Sequence, residues 1–332
     1  MKTKHLGLVF FFLALTTCLT AQTETAAEDK THGYFSMSFL KGQKGGIFSG
    51  GSFEDIGAGI LFSGHFTPQL QFRLEVRSRS EARFGLEEVL LGLELSKAAN
   101  VQLGMYLVPF GRYNRQNRPQ EQKLVRVPLV VEAAYPASWR DIGLLVSGQL
   151  SFLNYAVSLG NGLGQGSEQE PVQQFMDNNA AKGLAGRLGL RWGQDFETAF
   201  SYARQAFSGA GDRTARLWAA DGAWITENYA LAGEYIRSEY DRPSDIGASM
   251  KTEGWYVELA FNYQTLWPVV SYQTVKNAPT VSEVPARKNR WALGVAWILQ
   301  PGILFKVEYD WNREPGHEVK DDLLSVQAAI SF

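Results

Sequence analysis

Along most of this chain, apolar and polar side chains alternate with a period of two, in segments about ten residues long. Residues 69–78 read QLQFRLEVRS. Leu70, Phe72, Leu74 and Val76 share one parity, while Gln71, Arg73, Glu75 and Arg77 share the other. A strand sends successive side chains to opposite faces, so this segment has one apolar and one charged face. A helix would mix both sets around its circumference. Val89, Leu91, Leu93 and Leu95 repeat the pattern against Glu88, Gly92 and Glu94. Phe305, Val307, Tyr309 and Trp311 repeat it against Lys306, Glu308 and Asp310. The chain closes on Leu324, Val326, Ala328, Ile330 and Phe332, all of one parity. After residue 21 there is no helical period.

The pattern predicts sixteen strands, at 33–40, 55–66, 69–79, 86–96, 101–108, 139–149, 151–160, 182–192, 196–206, 214–224, 229–239, 253–263, 266–275, 289–299, 303–312 and 322–332. About ten residues at ~3.3 Å, tilted by ~45°, cross the apolar band of a membrane. Tight connections fall around Thr67–Pro68, 97–100, 193–195, 225–228, 264–265 and 300–302. Most of the intervening ones are longer: 41–54, 109–138, 161–181, 240–252, 276–288 and 313–321. A water-soluble sandwich has no reason to sort its loops this way, whereas a membrane barrel has short turns on one side and long loops on the other. The fold class expected is all-β: a 16-stranded antiparallel transmembrane β-barrel with short periplasmic turns and longer extracellular loops. Aromatics gather at the expected strand ends and predict two interfacial girdles. Trp192, Phe196, Trp224, Tyr229, Trp267 and Trp297 lie beside tight turns; Trp139, Trp255, Trp291 and Trp311 lie beside long loops.

The first residues have a different logic. Lys2 and Lys4 precede the apolar run LGLVFFFLAL, and a small-polar stretch ends at Ala21. This is the three-part pattern of a signal peptide over 1–21, too short to span a bilayer as a helix. The chain's one cysteine, Cys18, lies within it, preceded by Thr17 where a lipidated cysteine would favour a smaller residue. Residues 22–32 read as a polar periplasmic tail before a barrel domain at 33–332. A disulfide framework and a cysteine metal site are excluded. Removing 1–21 leaves 30 basic and 34 acidic residues, so no basic surplus points to nucleic acid.

MYLVPFGRYN at 105–114, WRDIG at 139–143, SLGNG at 158–162, DNNAAKGLAGR at 177–187 and the terminal Phe332 together resemble the phosphate-selective porin O/P family, 16-stranded outer-membrane porins. The resemblance covers roughly 33–332 and is most specific at PFG. It implies a homotrimeric, water-filled channel with its third loop, 109–138, folded into the lumen. Family members bind phosphate through lumen Arg rows and a Lys cluster. Here the third loop holds a single lysine, Lys123, which argues against phosphate selectivity.

Strand parity places Arg73, Arg77, Arg187, Arg191, Arg290 and Lys306 on the lumen wall against Glu75, Glu88, Glu94, Asp141, Glu197, Asp221, Glu234, Glu258, Glu308 and Asp310. That wall alone favours cations. Loop 109–138 instead carries Arg112, Arg115, Arg118, Lys123 and Arg126 against Glu121 and Glu132. Charges at a constriction outweigh those on a wide wall, because field lines focus there. Folded inward, the loop makes a constriction weakly selective for anions; left outside, it is a solvated surface and the wall decides.

Catalytic patterns are missing from the sequence: there is no G-x-S-x-G, and His32, His65 and His317 do not fall at metal-ligand spacing. Carboxylates such as Glu234, Glu258, Glu308 and Asp310 read as a pore wall rather than acid–base groups. The chain is thus read as a non-enzyme without cofactor or metal. It is expected in the outer membrane of a diderm bacterium, with barrel-assembly machinery recognising Phe332. Its function is read as passive diffusion of small hydrophilic solutes or anions through a porin. The alternative is a plugged structural or adhesin-type barrel, which conductance would separate from a pore.

Overall fold

The computed structural model describes residues 30–79, 83–136, 138–166, 170–243, 249–277, 287–316 and 318–332. The signal segment 1–21 and residues 22–29 of the expected tail lie outside them. Sixteen strands form the wall. The first eight are β1 Lys30–Gly42, β2 Ser52–His65, β3 Leu70–Arg79, β4 Arg83–Ser96, β5 Ala99–Leu107, β6 Arg140–Leu150, β7 Leu153–Gly160 and β8 Gly183–Trp192. The second eight are β9 Phe196–Ala206, β10 Thr214–Ile225, β11 Tyr229–Tyr240, β12 Met250–Phe261, β13 Leu266–Asn277, β14 Arg287–Gln300, β15 Ile303–Arg313 and β16 Leu323–Ser331. Each pairs antiparallel with its neighbour in sequence, and β16 returns to β1 to close the barrel. The expected tail shortens by three residues, because Lys30, Thr31 and His32 already pair with Ser63, Phe62 and Leu61.

Closure explains why such a polar backbone can sit in lipid. Every strand finds a partner on both sides, so no row of N–H and C=O groups is left to hydrocarbon, where each orphan costs several kcal/mol. The seam is completed by the last residue: Gly33 N–H donates to Phe332 O (3.0 Å) and Phe332 N–H to Gly33 O (2.9 Å). The turns at one end are two to four residues long, at 66–69, 97–98, 151–152, 193–195, 226–228, 262–265 and 301–302. The strand ends that lead into 108–139 and the other long connections lie at the opposite end.

Two departures from strict alternation matter. Between Glu75 and Val76 the β3–β4 register slips, and Glu87 becomes the extra residue of a bulge. Glu87 is consequently buried instead of exposed on the lipid face that alternation assigns it. The second departure concerns aromatics. Trp192, Trp224, Trp255, Trp291, Trp297 and Trp311 are exposed on the barrel exterior. Trp139 and Trp267 are not girdle residues. Trp139 is fully buried against Phe110 and Tyr135, with ring centroids 5.4 and 5.8 Å away. Trp267 shares the parity of buried Val269, Ser271 and Gln273, so it faces the lumen.

Candidate functional site

The described residues of loop 109–138 lie inside the barrel and touch its wall at several points. The loop's base is closed by Val108 N–H donating to Trp139 O (2.9 Å). Asn114 clamps both flanks: its Nδ2 donates to Val108 O and Trp139 O (3.0 Å each), and its Oδ1 accepts from Trp139 N–H (2.7 Å). The chain then crosses the lumen at once. Gly111 N–H donates to Ser201 Oγ on β9 (3.1 Å), and the amides of Arg112 and Tyr113 donate to Glu234 on β11 (3.2 Å each). Gly111 has φ +65°, and a Cβ there would sit 1.9 Å from the Glu234 carboxylate. The glycine of PFG is therefore required twice, by backbone conformation and by close approach.

After the 3-10 turn Tyr113–Gln116, the loop swings to the β3–β4 wall. Arg118 donates through Nε to Glu75 (3.2 Å), pairs again with Glu75 through Nη2, and reaches Glu88 (3.2 Å). Burial works against its charge, but hydrogen bonds and attraction from Glu75, Glu121 and Glu88 raise the guanidinium above its usual range. Next comes β15, where Lys306 Nζ donates to Pro119 O (2.8 Å) and Leu124 O (3.2 Å). Glu308 accepts the amides of Val125 and Arg126. On β14, Arg290 donates to Val127 O (3.3 Å), and on β13 Gln273 accepts from Leu129 N–H (3.0 Å).

The loop ends in a short helix, α1 Leu129–Ala134. Its Val130, Val131 and Ala134 pack with Phe110 and Tyr135 against lumen-facing Ala203, Leu217, Ala219 and Ile236. Part of the lumen wall on β8–β12 is therefore apolar. It is a seat for the loop, and strand parity cannot reveal this because TARLWAADGAW in β10 is largely apolar on both faces.

This seating redistributes the expected site charges. Lys306, Glu308, Asp310 and Arg290 are buried instead of lining a solvated wall. Arg187 pairs with Asp221 and with Glu197 (3.4 Å). Arg73 pairs with Glu88 (2.8 Å), and the Arg77 guanidinium lies 5.8 Å from the Tyr34 ring centre. Asp141 accepts from Gly162 N–H (3.0 Å), while Arg126 meets Glu132 (3.7 Å). Among the described residues Arg112 makes no ion pair. Arg115 lies 3.5 Å from Glu197, a carboxylate also contacted by Arg187 and Arg191, and its side chain keeps 44% of its exposure. Lys123 lies 5.0 Å from the Trp267 ring centre, where burial lowers its pKa.

Residues that charge counting misses hold this arrangement. Ser201 and Gln273 stand at lumen parity, where uncharged hydrogen-bonding side chains could have been picked out. Glu87, displaced by its bulge, accepts from Ser138 Oγ (3.1 Å) and meets Arg140 (3.3 Å) at the loop's base. Of the spaces beside the loop, two bear on its charges. One of about 320 Å³ includes Arg77, Tyr113, Glu132 and Lys306 in its lining. The other, about 560 Å³, lies toward the tight turns and includes Lys97, Asn100, Arg115, Arg187 and Arg191.

The model of the family described as "Phosphate-selective porin O and P" matches residues 153–329. No curated protein matches the chain. Among solved structures, the barrel is similar to Salmonella typhi OmpF in complex with daunomycin, at 12% identity and TM-score 0.67, covering 93% of this chain and 100% of that one. In vitro folded Vibrio cholerae OmpT in its trimer form aligns at 11% identity and TM-score 0.63, covering 93% and 100%. An anion-selective porin from Comamonas acidovorans aligns at 11% identity and TM-score 0.64, covering 92% and 98%.

Proposed function

Since the chain belongs to the phosphate-selective porin O and P family and is an outer-membrane channel for passive diffusion, we propose that its constriction weakly favours small anions. The observation that carries this reading is the uneven neutralisation of charge on the loop. Arg118 and Arg126 have carboxylate partners, whereas Arg112 has none among the described residues and Arg115 shares one carboxylate with two other arginines. Many wall acids that would favour cations are engaged by loop amides or by arginine. Inorganic phosphate then crosses as one anion among several, because the loop carries one lysine rather than a cluster. The same contacts support reading Glu234 and Glu308 as loop anchors rather than acid–base groups, in a protein that is not an enzyme.

We also propose a homotrimer. Among the described side chains, every exposed Trp and Tyr lies at or after residue 192, while β1–β5 expose Phe35, Met37, Phe62, Leu91 and Leu103. Interfacial aromatics belong where a wall meets lipid and water. An arc without them fits burial against neighbouring copies, as does the trimeric form of one structural relative. Residues 1–21 serve as the export signal, and Phe332 as the mark read by barrel-assembly machinery.

Reversal potentials across a salt gradient test the selectivity. Wild type should prefer anions weakly, and joint replacement of Arg112, Arg115 and Lys123 by Ala should move the preference toward cations. Burial, reinforced by Arg112 and opposed by Glu258, holds Lys123 below the ordinary lysine range. Its proton therefore leaves at lower pH than an exposed lysine's, and its share of anion preference should fade early as pH rises. Lys123→Arg should abolish that fade. An unchanged reversal potential in the triple variant would remove the loop from the selectivity step, and absence of any conductance would favour a plugged barrel.

A further inference from the structure

The outer surface of β9–β15 has a second layer of order beyond its aromatics. On β9, Tyr202 is followed toward the long-loop end by outward Arg204; on β10, Trp218 by Arg216; on β11, Tyr235 by Arg237. The pattern continues across the next four strands. Trp255 is followed by Glu253 and Lys251, Tyr272 by Thr274 and Lys276, Trp291 by Asn289 and Arg287, and Trp311 by Arg313. The residues flanking these positions, among them Ala203, Leu217, Ile236 and Ser238, are fully buried on the lumen side, so the basic chains point out of the barrel. Seven consecutive strands thus place a cation one or two outward steps beyond an aromatic ring.

Cross-strand register compensates the middle of the band, where Arg216 and Lys251 face Glu239 and where Arg237 and Lys276 face Glu253, and sets like charges against each other toward its two edges. Arg204 stands directly opposite Arg216, and Lys276 opposite Arg287. Like charges facing each other across a ladder repel. Among the described residues, four acids contact the band of seven cations: Glu239 and Glu253 on the strands, with Asp241 and Asp322 at the loops. Their contacts with the band are mostly long, at 3.7–3.9 Å, except Arg216 to Asp241 at 3.0 Å. The aromatic ring marks the level of the hydrocarbon boundary, so the cations lie at headgroup depth in the leaflet facing the long loops.

We propose that this band binds the phosphate groups of a phosphorylated lipid of the outer leaflet, with acyl chains along the apolar wall below. Guanidinium and ammonium groups offer charge-assisted hydrogen bonds to phosphate, and the rings below fix the lipid's depth. The arc is the one left facing lipid in the proposed trimer. It does not include the loop residues on which the channel reading rests.

The test uses purified full-length protein in detergent, with bisphosphorylated lipid A as probe and the protein's melting temperature as readout. Lipid A should raise the wild-type melting temperature. The variant Arg204→Gln, Arg216→Gln, Lys276→Gln and Arg287→Gln should bind lipid A at least tenfold more weakly while keeping wild-type conductance. Dephosphorylated lipid A and inorganic phosphate should each leave the wild-type melting temperature unchanged. A second variant, Glu239→Gln with Glu253→Gln, should bind lipid A more tightly, which keeps the test decisive even where the fourfold variant does not fold. An equal shift from dephosphorylated lipid or from inorganic phosphate would overturn the proposal. So would undiminished binding by the folded fourfold variant, or no gain in the Glu variant.

Discussion

Arg118 shows how one side chain links sequence, loop and lumen. Its guanidinium meets Glu75, which is nearly fully buried, and Glu88, which is also reached by Arg73. Two carboxylates taken out of water need a cation, and breaking a buried pair from one side costs ~3–5 kcal/mol, because the remaining charge is left uncompensated. Arg118→Ala should therefore destabilise the barrel by ~3 kcal/mol, discounted somewhat because Arg73 still faces Glu88. Arg118→Ala combined with Glu75→Gln should recover much of that loss. Guanidinium unfolding in detergent followed by tryptophan fluorescence measures both. Equal midpoints for single and double variants would mean that the pair is not coupled.

At the scale of elements, the strands were legible because each carries its own two-residue period. β3, β9 and β15 lie within one or two residues of where alternation and turn residues place them. What local pattern could not convey was contact between distant elements. Trp139 looks like a girdle residue from its position beside a long loop, yet that loop folds back and buries it. Trp267 stands next to a tight turn like the girdle rings, but its parity turns it inward. Glu87 requires knowing that the β3–β4 register slips, which is a property of two strands and not of one. Strand parity says which face Lys306 and Glu308 share, but not that a loop bonds to both of them. That distinction alters a test of the faces. On alternation alone, Arg at Glu308 should be milder than Arg at Val307; with Glu308 accepting two loop amides, it is no longer a neutral comparison. Gln102, beside a space of about 560 Å³ near the tight turns, serves better. Val307→Arg places a charge on the lipid face in mid-strand and should cost ~2–4 kcal/mol, whereas Gln102→Arg should cost under ~1 kcal/mol. Unfolding from lipid vesicles measures the difference, and equal losses would contradict the assignment of faces.

For the whole molecule, the barrel exterior divides into two arcs that differ in chemistry although both are apolar. One carries Trp and Tyr near both rims; the other, over β1–β5, exposes Phe and aliphatic side chains. In lipid there is little hydrophobic gain from covering an apolar wall, because acyl chains are as apolar as leucine; association rests on close packing between proteins. Truncating side chains should consequently matter only where a neighbouring copy fills the space beside them. On the first arc, Phe62, Phe72 and Leu91 lie on adjoining strands, with Phe72 directly opposite Leu91. On the second, Leu231, Leu293 and Val307 are exposed, as Phe62 and Leu91 are on the first. If the proposed trimer packs through this arc, replacing Phe62, Phe72 and Leu91 together by Ala should lower the temperature at which an SDS-resistant trimer band gives way to monomer by more than ~10 °C, several contacts being lost at each of its three interfaces. Replacing Leu231, Leu293 and Val307 by Ala should leave that temperature nearly unchanged, because mobile acyl chains refill the space. The monomer band should stay heat-modifiable in both variants, since closure of the barrel depends on backbone pairing that neither touches. Loss of the trimer band in the second variant and not the first would place the subunit contact on the aromatic-rich arc, and would withdraw the proposed orientation of the subunits.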